Sequence, residues 1–260
     1  MTDCRALITG ASAGLGAEFA RQLAALGKDL VLVARRAAVM EQLSDELVEQ
    51  YDVAVDIIAA DLSETDATGR ILDELTHRGI EVDYLINNAG AYGPDLLVDR
   101  SFPAQQRYME LMMISVAGMC HHFIPLMARR RFGRVLNVAS VAGLVSLAGD
   151  TSYGPSKAYV IALSRGLSAT VRSKGVHVLA LCPGFTHTEF HDDPVLAKMK
   201  DNSPAFIWYD AEVVVREGLA ALEKGKDIYI SGRLYRWLMP LLRTRIGIWI
   251  MRRMGVKRDY

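Results

Sequence analysis

Short apolar runs alternate with amphipathic stretches along most of the chain. The apolar runs have the length of buried strands and lie at 5–9, 29–34, 53–59, 82–87 and 134–139. Stretches with helical periodicity separate them, at 17–26, 37–51, 63–78 and 103–130. Regular alternation of strand and helix is typical of a parallel sheet with helices packed on it. The pattern therefore predicts a single α/β domain over residues 1–231.

A glycine-rich turn follows the first apolar run directly. It reads Gly10-Ala11-Ser12-Ala13-Gly14-Leu15-Gly16 and leads into a helical stretch. Glycine allows the backbone to approach a phosphate closely, and the N–H groups and dipole at a helix start attract its charge. Tight turns also need glycine, so the position after the first strand is what favours a nucleotide site.

Arg35 and Arg36 end the second strand, where dinucleotide-binding folds often place an acidic residue for the ribose 2′-hydroxyl. A carboxylate there would repel a 2′-phosphate, whereas a guanidinium binds it in a fork. We therefore expect NADP(H) in preference to NAD(H), with Arg35 as the contact and Ser12 as a helper. The alternative is that both arginines belong to a solvated helix start.

Ser140, Tyr153 and Lys157 are the candidate catalytic residues. Tyr153 and Lys157 are four positions apart, so they share one face of a helix. A phenol titrates near pH ~10, and a nearby ammonium favours the phenolate, so we expect Lys157 to lower the pKa of Tyr153. Ser140 follows an apolar run and falls at a strand end, where open α/β sheets bind ligands. The set predicts carbonyl/alcohol redox chemistry, although such Tyr–Lys pairs also occur by chance with the lysine in solvent.

These motifs stand in the order found in the short-chain dehydrogenase/reductase family, which the chain resembles from Arg5 to about Ser231. The remaining shared motifs are Asp61-Leu62, Asn87-Asn88-Ala89-Gly90 and Pro183-Gly184-Phe185-Thr186-His187-Thr188. Each motif alone is unspecific, but the ordered set is specific. The resemblance implies a Rossmann-type, doubly wound parallel sheet in three α/β/α layers.

The resemblance also implies roles for individual residues. The tyrosine is the general acid or base, the lysine lowers its pKa and holds the nicotinamide ribose, and the serine orients the carbonyl. Asp61 is expected at the adenine and Thr188 at the carboxamide. The expected nucleotide-binding residues are Gly10, Ser12, Gly14, Leu15, Gly16, Arg35, Asp61, Leu62, Asn88, Gly90, Tyr153, Lys157, Pro183, Gly184, Thr186 and Thr188.

Two positions depart from the family pattern or from ordinary helix composition. Ser115 stands three residues before Gly118, where the family usually has an asparagine that helps hold a water in a proton relay to the lysine. We retain Ser115 as a candidate relay residue, because the asparagine acts largely through a local backbone carbonyl. Pro155 would disrupt a helix interior but suits a first turn, so the helix is predicted to begin at Ser152 or Tyr153.

Composition restricts the functional classes. The 260 residues hold 30 basic and 30 acidic side chains, a balance that gives no electrostatic reason to expect nucleic acid. The three cysteines, Cys4, Cys120 and Cys182, are expected to be reduced core residues in a cytoplasmic compartment. No metal-ligand spacing is visible. The first strand starts by Arg5, so we expect no signal peptide.

Two further stretches indicate where substrate and subunits are bound. The helical stretch 103–130 is rich in methionine, which is typical of core or subunit interface, and the resemblance implies a homodimer or homotetramer through this helix and the one carrying Tyr153. The long connection 183–210 mixes polar and aromatic residues and is the predicted substrate loop. Within it, His187 is either a substrate contact or an exposed loop residue.

Residues 232–260 are predicted to be an irregular, apolar and basic C-terminal extension of the domain. Arginines interrupt any apolar run of the ~20 residues needed to span a bilayer. Leu234, Leu238, Leu241 and Leu242 are expected opposite Arg236 and Arg243, and Pro240 and Gly247 suggest short, broken helices. This segment is expected to lie on a membrane surface through 232–254, to cover a lipid-like substrate, or to pack on a partner subunit.

Together these features predict an NADP(H)-dependent carbonyl reductase or alcohol dehydrogenase acting on a small-molecule substrate, with an apolar or acyl-chain ketone suited to the tail. Two alternatives remain open at this stage. One is a nucleotide-binding regulatory protein with little turnover, and the other is an interaction protein built on the same scaffold.

Overall fold

A computed structural model describes residues 4–99, 101–192, 204–242 and 244. Its main sheet has seven parallel strands in the order β3-β2-β1-β4-β5-β6-β9. These are β1 (Arg5–Thr9), β2 (Asp29–Ala34), β3 (Val55–Ala59), β4 (Tyr84–Asn87), β5 (Gly133–Val138), β6 (Val176–Cys182) and β9 (Ile228–Ile230). A small sheet pairs β7 (Thr186–His187) with β8 (Tyr209–Asp210). Between β1 and β4 the strand order reverses, which is where doubly wound sheets bind ligands.

Helices cover both faces of the main sheet. They are α1 (Gly14–Ala25), α2 (Ala37–Tyr51), α3 (Ala67–His77), α4 (Phe102–Met109), α5 (Ser115–Arg130), α6 (Tyr153–Val171), α7 (Ala211–Glu223) and α8 (Arg233–Leu242). One face packs against Phe19, Met40 and Leu222, from α1, α2 and α7. The opposite face packs against Ile71 of α3 and Phe123 of α5. The predicted three-layer, doubly wound α/β fold is confirmed.

The central strands are buried on both faces, which explains their continuous apolar sequence. Leu7, Ile8, Leu85 and Ile86 are all fully buried, so neighbouring positions face opposite helical layers. Such strands show no alternation of polar and apolar residues, and their length of four to seven residues distinguishes them from the longer helices.

Some element boundaries differ from the sequence prediction. Strands β3 and β4 each begin two residues later than expected. Helix α3 begins at Ala67 after an N-cap at Asp66, whereas Ser63 was the predicted start. The reason is local: the backbone N–H and the hydroxyl of Ser63 both donate to the Asp61 carboxylate, at 2.9 and 2.7 Å. Because the Ser63 side chain is bound to Asp61 in this turn, it does not cap the helix.

The methionine-rich helix runs without interruption over Phe102–Arg130, with a π-helical segment at Glu110–Ile114 between α4 and α5. Its length and composition would suit a membrane span. However, Met112, Met119 and Met127 are buried against the sheet, as in a core helix. The π-helical segment falls just before Ser115, at the end that faces the candidate site.

Candidate active site

The strand ends at the switch point are tied together by side-chain hydrogen bonds. The Asn88 amide donates to the carbonyl oxygens of Thr9 and Gly10, at 3.0 and 3.3 Å. The Thr9 hydroxyl in turn accepts from the backbone N–H groups of Asn88 and Ala89, both at 3.0 Å. These bonds fix the glycine turn against the end of β4.

The glycine turn is a trough that side chains would fill. Gly10 has φ +66°, and a Cβ there would lie 2.9 Å from the Ala89 Cα. Gly14 has φ +53°, and its Cβ would lie 3.2 Å from the Thr188 Cβ. A Cβ at Gly16 would overlap the Gly10 carbonyl oxygen. With the N-terminus of α1 beginning at Gly14, the trough suits the diphosphate of a dinucleotide, so the residues present fit the expected cofactor.

At the expected adenosine end, the structure joins Arg36 to Ser12. The Arg36 guanidinium donates two hydrogen bonds to the Ser12 hydroxyl, at 3.2 and 3.1 Å, and lies 3.6 Å from the Glu189 carboxylate. Arg35, the residue predicted to work with Ser12, has a 76% exposed side chain and lies 3.9 Å from the Asp61 carboxylate. Both arginines follow the end of β2, and it is the Arg36 side chain that turns towards Ser12 in the glycine turn.

Asp61 and Leu62 follow β3 at the same edge. Leu62 is buried. Burial acts to raise the pKa of Asp61, but the two hydrogen bonds from Ser63 and the charge of Arg35 lower it below its ordinary value. Asp61 is therefore a carboxylate at neutral pH, able to accept hydrogen bonds at the position predicted for adenine.

The three candidate catalytic residues come together where β5 meets α6. Ser140 follows β5; its hydroxyl accepts from the Ala142 N–H at 3.1 Å and lies close enough to Tyr153 to influence the pKa of the phenol. Tyr153 is the first residue of α6, as predicted from Pro155. Lys157 lies one turn later, with its Nζ 5.8 Å from the centre of the Tyr153 ring. Gly90 closes the same space, because a Cβ there would lie 3.7 Å from that Nζ.

The electrostatics of the pair differ from the prediction. Burial raises the pKa of Tyr153 to about 12, against an opposing contribution from the nearby Ser140 hydroxyl. Burial also lowers the pKa of Lys157 to about 8. The pKa of Tyr153 therefore lies above its ordinary value, contrary to the expected lowering by Lys157. The physical reason is desolvation, which disfavours the charged form of both groups.

Ser115, the candidate relay residue, is buried at the junction between the π-helical segment and α5. Its hydroxyl donates a 2.7 Å hydrogen bond to the Leu111 carbonyl oxygen inside the same helix. The Ser115 proton is therefore engaged with the backbone, and its oxygen lone pairs are the groups that could accept from a water. Met112, in the same segment, lies against Gly90 and accepts from the Ala91 N–H at 3.4 Å.

A buried amide pair holds α6 in register with the sheet. The Asn87 amide donates to Asn137 Oδ1 at 2.8 Å, and the Asn137 amide donates to the Ser164 hydroxyl at 2.9 Å. Ser164 in turn donates to the Val160 carbonyl oxygen at 2.7 Å. This chain links β4, β5 and α6, so it fixes the rotation of the helix that carries Tyr153 and Lys157.

Two aromatic rings lie beside the Tyr153 ring, a feature not predicted from the sequence. The centre of the Tyr92 ring lies 5.8 Å from that of Tyr153, and the centre of the Phe190 ring lies 5.7 Å from it. Tyr92 follows the Asn-Asn-Ala-Gly motif by two residues, which is the one signal that could have identified it. Phe190 belongs to the predicted substrate loop.

The Pro183–Thr188 segment lies under the C-terminal helix. A Cβ at Gly184 would overlap the Tyr235 ring, and the Tyr235 hydroxyl accepts from the Phe185 N–H at 3.2 Å. Thr186 is buried, and its hydroxyl donates to the Gly184 carbonyl oxygen at 3.1 Å. Pro183 accepts from the N–H of Val141 at 3.0 Å, which ties this segment to the residue after Ser140.

The remaining residues singled out from the sequence are His187 and the three cysteines. His187 is exposed and stacks on Trp208, with 5.2 Å between ring centres. All three cysteines are free. Cys182 lies close to Lys157, and burial raises the pKa of its thiol to about 12, so it is uncharged at neutral pH. Within the described part of the chain, no cluster of three or more His, Cys, Asp or Glu side chains could hold a metal ion.

Solved structures with the same fold match nearly the whole chain. A short-chain dehydrogenase from Sphingobium yanoikuyae in complex with NADPH is 28% identical, with a TM-score of 0.80 over 98% of this chain and 99% of that one. A bulky-bulky ketone specific alcohol dehydrogenase from Comamonas testosteroni is 26% identical, with a TM-score of 0.78 over 99% and 96%.

Sequence comparisons agree with the fold. A very-long-chain 3-oxoacyl-CoA reductase from Anas platyrhynchos is 31% identical, and the match covers 92% of this chain and 76% of that protein. The family model described as short chain dehydrogenase matches residues 5–197. On this evidence, the chain belongs to the short-chain dehydrogenase family of oxidoreductases.

Proposed function

We propose that the protein is an NADP(H)-dependent oxidoreductase that interconverts a ketone and a secondary alcohol. The observation that carries the proposal is that Ser140, Tyr153 and Lys157 lie together, with Lys157 Nζ 5.8 Å from the centre of the Tyr153 ring, at the same sheet edge as the glycine trough. The Tyr153 and Ser140 hydroxyls offer a proton donor and a polar anchor for one carbonyl oxygen. When bound, the nicotinamide supplies or accepts the hydride.

The preference for NADP(H) rests on the paired donors of Arg36 and Ser12. A guanidinium and a hydroxyl held 3.1 Å apart present several donors to a 2′-phosphate. Asp61 would hold the adenine side, Gly10, Gly14 and Gly16 the diphosphate, and Thr188 the carboxamide end. The NADPH complex of the Sphingobium yanoikuyae relative supports the same choice.

The proton chemistry follows from the ionisation of the two buried groups. With a pKa of about 12, Tyr153 is a phenol at neutral pH, so it is in the correct state to donate its proton to the carbonyl oxygen. Lys157, with a pKa of about 8, is then an ammonium beside it. As the phenolate forms, the attraction between the opposite charges grows, and Lys157 stabilises the charge that develops on Tyr153. The Ser140 hydroxyl positions the substrate carbonyl oxygen for this proton transfer.

The walls of the site favour a bulky apolar substrate. Tyr92 and Phe190 lie beside the Tyr153 ring, and a cavity of about 400 Å³ lies nearby, lined by Leu96, Leu97, Asp99, Phe102 and Gln105. One of its lining residues contacts the loop that precedes the catalytic helix, because the Leu96 N–H donates to the hydroxyl of Thr151, two residues before α6, at 2.9 Å. The named substrates of the Comamonas testosteroni and Anas platyrhynchos relatives, a bulky ketone and a very long 3-oxoacyl chain, support this class.

The test is oxidation of NADPH in the presence of a ketone panel that runs from acetone to aryl and long-chain ketones and 3-oxoacyl thioesters. We expect turnover with the bulky members, faster with NADPH than with NADH. Tyr153→Phe should lower turnover by about a thousandfold while NADPH binding, measured by fluorescence, is retained, since general acid catalysis contributes up to ~10⁴-fold. Wild-type turnover in this variant would refute Tyr153 as the proton donor.

One observation favours a second candidate, a nucleotide-binding protein with little turnover. The Ser115 hydroxyl is engaged with Leu111, so the proton relay associated with the usual asparagine is altered. If this candidate is correct, the protein binds NADPH but is inactive on the whole panel, and Ser115→Asn gains turnover. Clear activity of the wild-type protein excludes it.

A further inference from the structure

Helix α8 packs on the edge of the sheet that holds the candidate site. Its inner face consists of Tyr235 and Met239, which are 8% and 4% exposed. The Arg236 guanidinium also turns inward and lies 3.0 Å from the Glu217 carboxylate of α7. The helix continues through Pro240, so the break predicted there is not observed. Its inner face is fixed to the domain by a charged pair and by aromatic packing.

The outer face of α8 is apolar. Trp237, Leu241 and Leu238 are 79%, 64% and 40% exposed, on the side of the helix away from the Arg236–Glu217 pair. Arg233 is exposed one turn before Trp237. We call these four residues the Trp237 face. Exposing a tryptophan and two leucines on one helix face to water is energetically unfavourable, so this face indicates an interaction surface.

A second exposed ring lies on a segment that α8 holds. The Tyr235 hydroxyl donates to the Ile207 carbonyl oxygen at 3.0 Å, and the neighbouring Phe206 is 71% exposed. The apolar surface is therefore not confined to one element. The same helix packs beside the turn Val141–Leu144, which directly follows Ser140, so this surface lies next to the mouth of the candidate site.

Charge along the chain is concentrated at this end. Residues 232–260 contain eight arginine and lysine residues and one aspartate, a net charge of +7, whereas the whole chain has a net charge of 0 and residues 1–231 therefore carry −7. Tryptophan and leucine beside clustered arginine form the composition that binds the interface of an anionic bilayer, where the ring enters the headgroup region and the cations meet lipid phosphate and carboxylate.

We propose that the Trp237 face docks the protein on an anionic lipid surface, with the mouth of the candidate site close to the headgroups. The alternative occupant, a second copy of this chain, is disfavoured by charge. A symmetric contact brings the same patch of both subunits together and would place two exposed Arg233 guanidinium groups close to each other. An anionic surface neutralises that charge. The proposal concerns binding and does not depend on the reaction that the site performs.

The test is cosedimentation of the full chain with vesicles. We expect binding to an equimolar mixture of phosphatidylcholine and phosphatidylserine, several-fold weaker binding to phosphatidylcholine alone, and loss of binding as salt is added. The double variant Trp237→Ser/Leu241→Ser should lose most of the bound fraction. Arg233→Glu should weaken binding by roughly fivefold or more, because each basic residue near the surface contributes about that factor.

The matched control is Leu26→Ser, which removes a leucine with the same 64% exposure at the far end of α1. It should bind vesicles as the wild type does. Circular dichroism and NADPH binding of every variant establish that it is folded. Arg233→Glu keeps the apolar residues and provides an independent readout if the double variant fails to fold.

Three results would overturn the proposal. The first is no binding of the wild type to the anionic vesicles, or equal binding by wild type and both face variants. The second is a switch from dimer to monomer in the double variant, measured by light scattering without vesicles, which would identify a second copy as the occupant. The third is tighter binding to duplex DNA than to the vesicles, lost in the same variants.

Discussion

The Lys157 ammonium donates a 2.9 Å hydrogen bond to the carbonyl oxygen of Val138, the last residue of β5. Lys157 is only 6% exposed, and burial lowers its pKa to about 8. A buried ammonium with one neutral acceptor is a weakly held charge, so the electrostatics of the site should change within an experimentally accessible range of pH.

The first prediction is therefore a pH dependence of ketone reduction. Below about pH 8 Lys157 is charged and stabilises the developing Tyr153 phenolate, whereas above that pH the charge is lost. We expect kcat/KM, which reports ionisations of the free enzyme, to fall as pH rises through about 8. Lys157→Arg, which keeps its charge, should remove this fall if it retains measurable activity. An unchanged alkaline limb in that variant would assign the ionisation to another group.

The second prediction concerns stability. Below pH 8 both the folded and unfolded chains carry the Lys157 proton, so the cost of burying the charge is fully present. Between about pH 8 and 10.5 the folded chain has released this proton while the unfolded chain still holds it. The free energy of unfolding therefore rises with pH over this range, until the cost of burying the charge is gone.

Lys157→Met should therefore stabilise the protein at pH 7. Removing the buried charge should raise the free energy of unfolding by on the order of 3 kcal/mol. Losing the hydrogen bond to Val138 should lower it by about 1 kcal/mol. Urea unfolding of the wild type and the variant measures the difference, which should shrink as pH approaches 10.5. A variant that is less stable at neutral pH would show that the ammonium contributes net stability.

The third prediction separates the two arginines after β2. Arg36→Glu should weaken NADPH binding by about ten- to a hundredfold and leave NADH binding much less affected, since a charged hydrogen bond contributes about 1.5–3 kcal/mol. Arg35→Glu is the matched control, with the same change of charge one residue away, and should have the smaller effect. Fluorescence titration with both nucleotides gives the comparison. A larger loss of NADPH affinity in the Arg35 variant would favour Arg35, the contact predicted from the sequence.

The fourth prediction addresses substrate choice. Tyr92→Ala and Phe190→Ala should lower kcat/KM for aryl or long-chain ketones by about tenfold each, because each removes one ring beside Tyr153, worth about 1 kcal/mol or more of contact. Activity on acetone should change little. Leu26→Ala, far from the site, controls for general effects of removing an exposed side chain. Equal losses on small and large ketones would indicate displacement of Tyr153 and no role in specificity.

The sequence was sufficient for the fold, which depends on local patterns, and it predicted three candidate catalytic residues that the structure brings together. The strands are short and mainly apolar, and the spacing of Tyr153 and Lys157 places both side chains on one face of a helix. Their ionisation could not be predicted, since it depends on how deeply the finished fold buries them. The orientation of α8 was also inaccessible, because the partner that turns Arg236 inward is Glu217, on another helix.

The choice between Arg35 and Arg36 also depends on the three-dimensional structure. Both arginines carry the same charge, and the sequence contains nothing that distinguishes their directions. Only the strand end and the position of Ser12 determine that Arg36 faces the glycine trough. Residue type predicted a cationic site at this sheet edge, and the geometry favours Arg36 as the residue beside Ser12.

The oxygen of Tyr235 connects three stretches of chain, accepting from Phe185 and donating to Ile207 while its own helix packs above Gly184. During translation, the Phe185 segment is made fifty residues before this oxygen. A nascent chain that has emerged only as far as β9 therefore lacks the bond that closes this edge of the sheet. The bonds of Tyr235 at this edge can therefore form only after residue 235 has been synthesised.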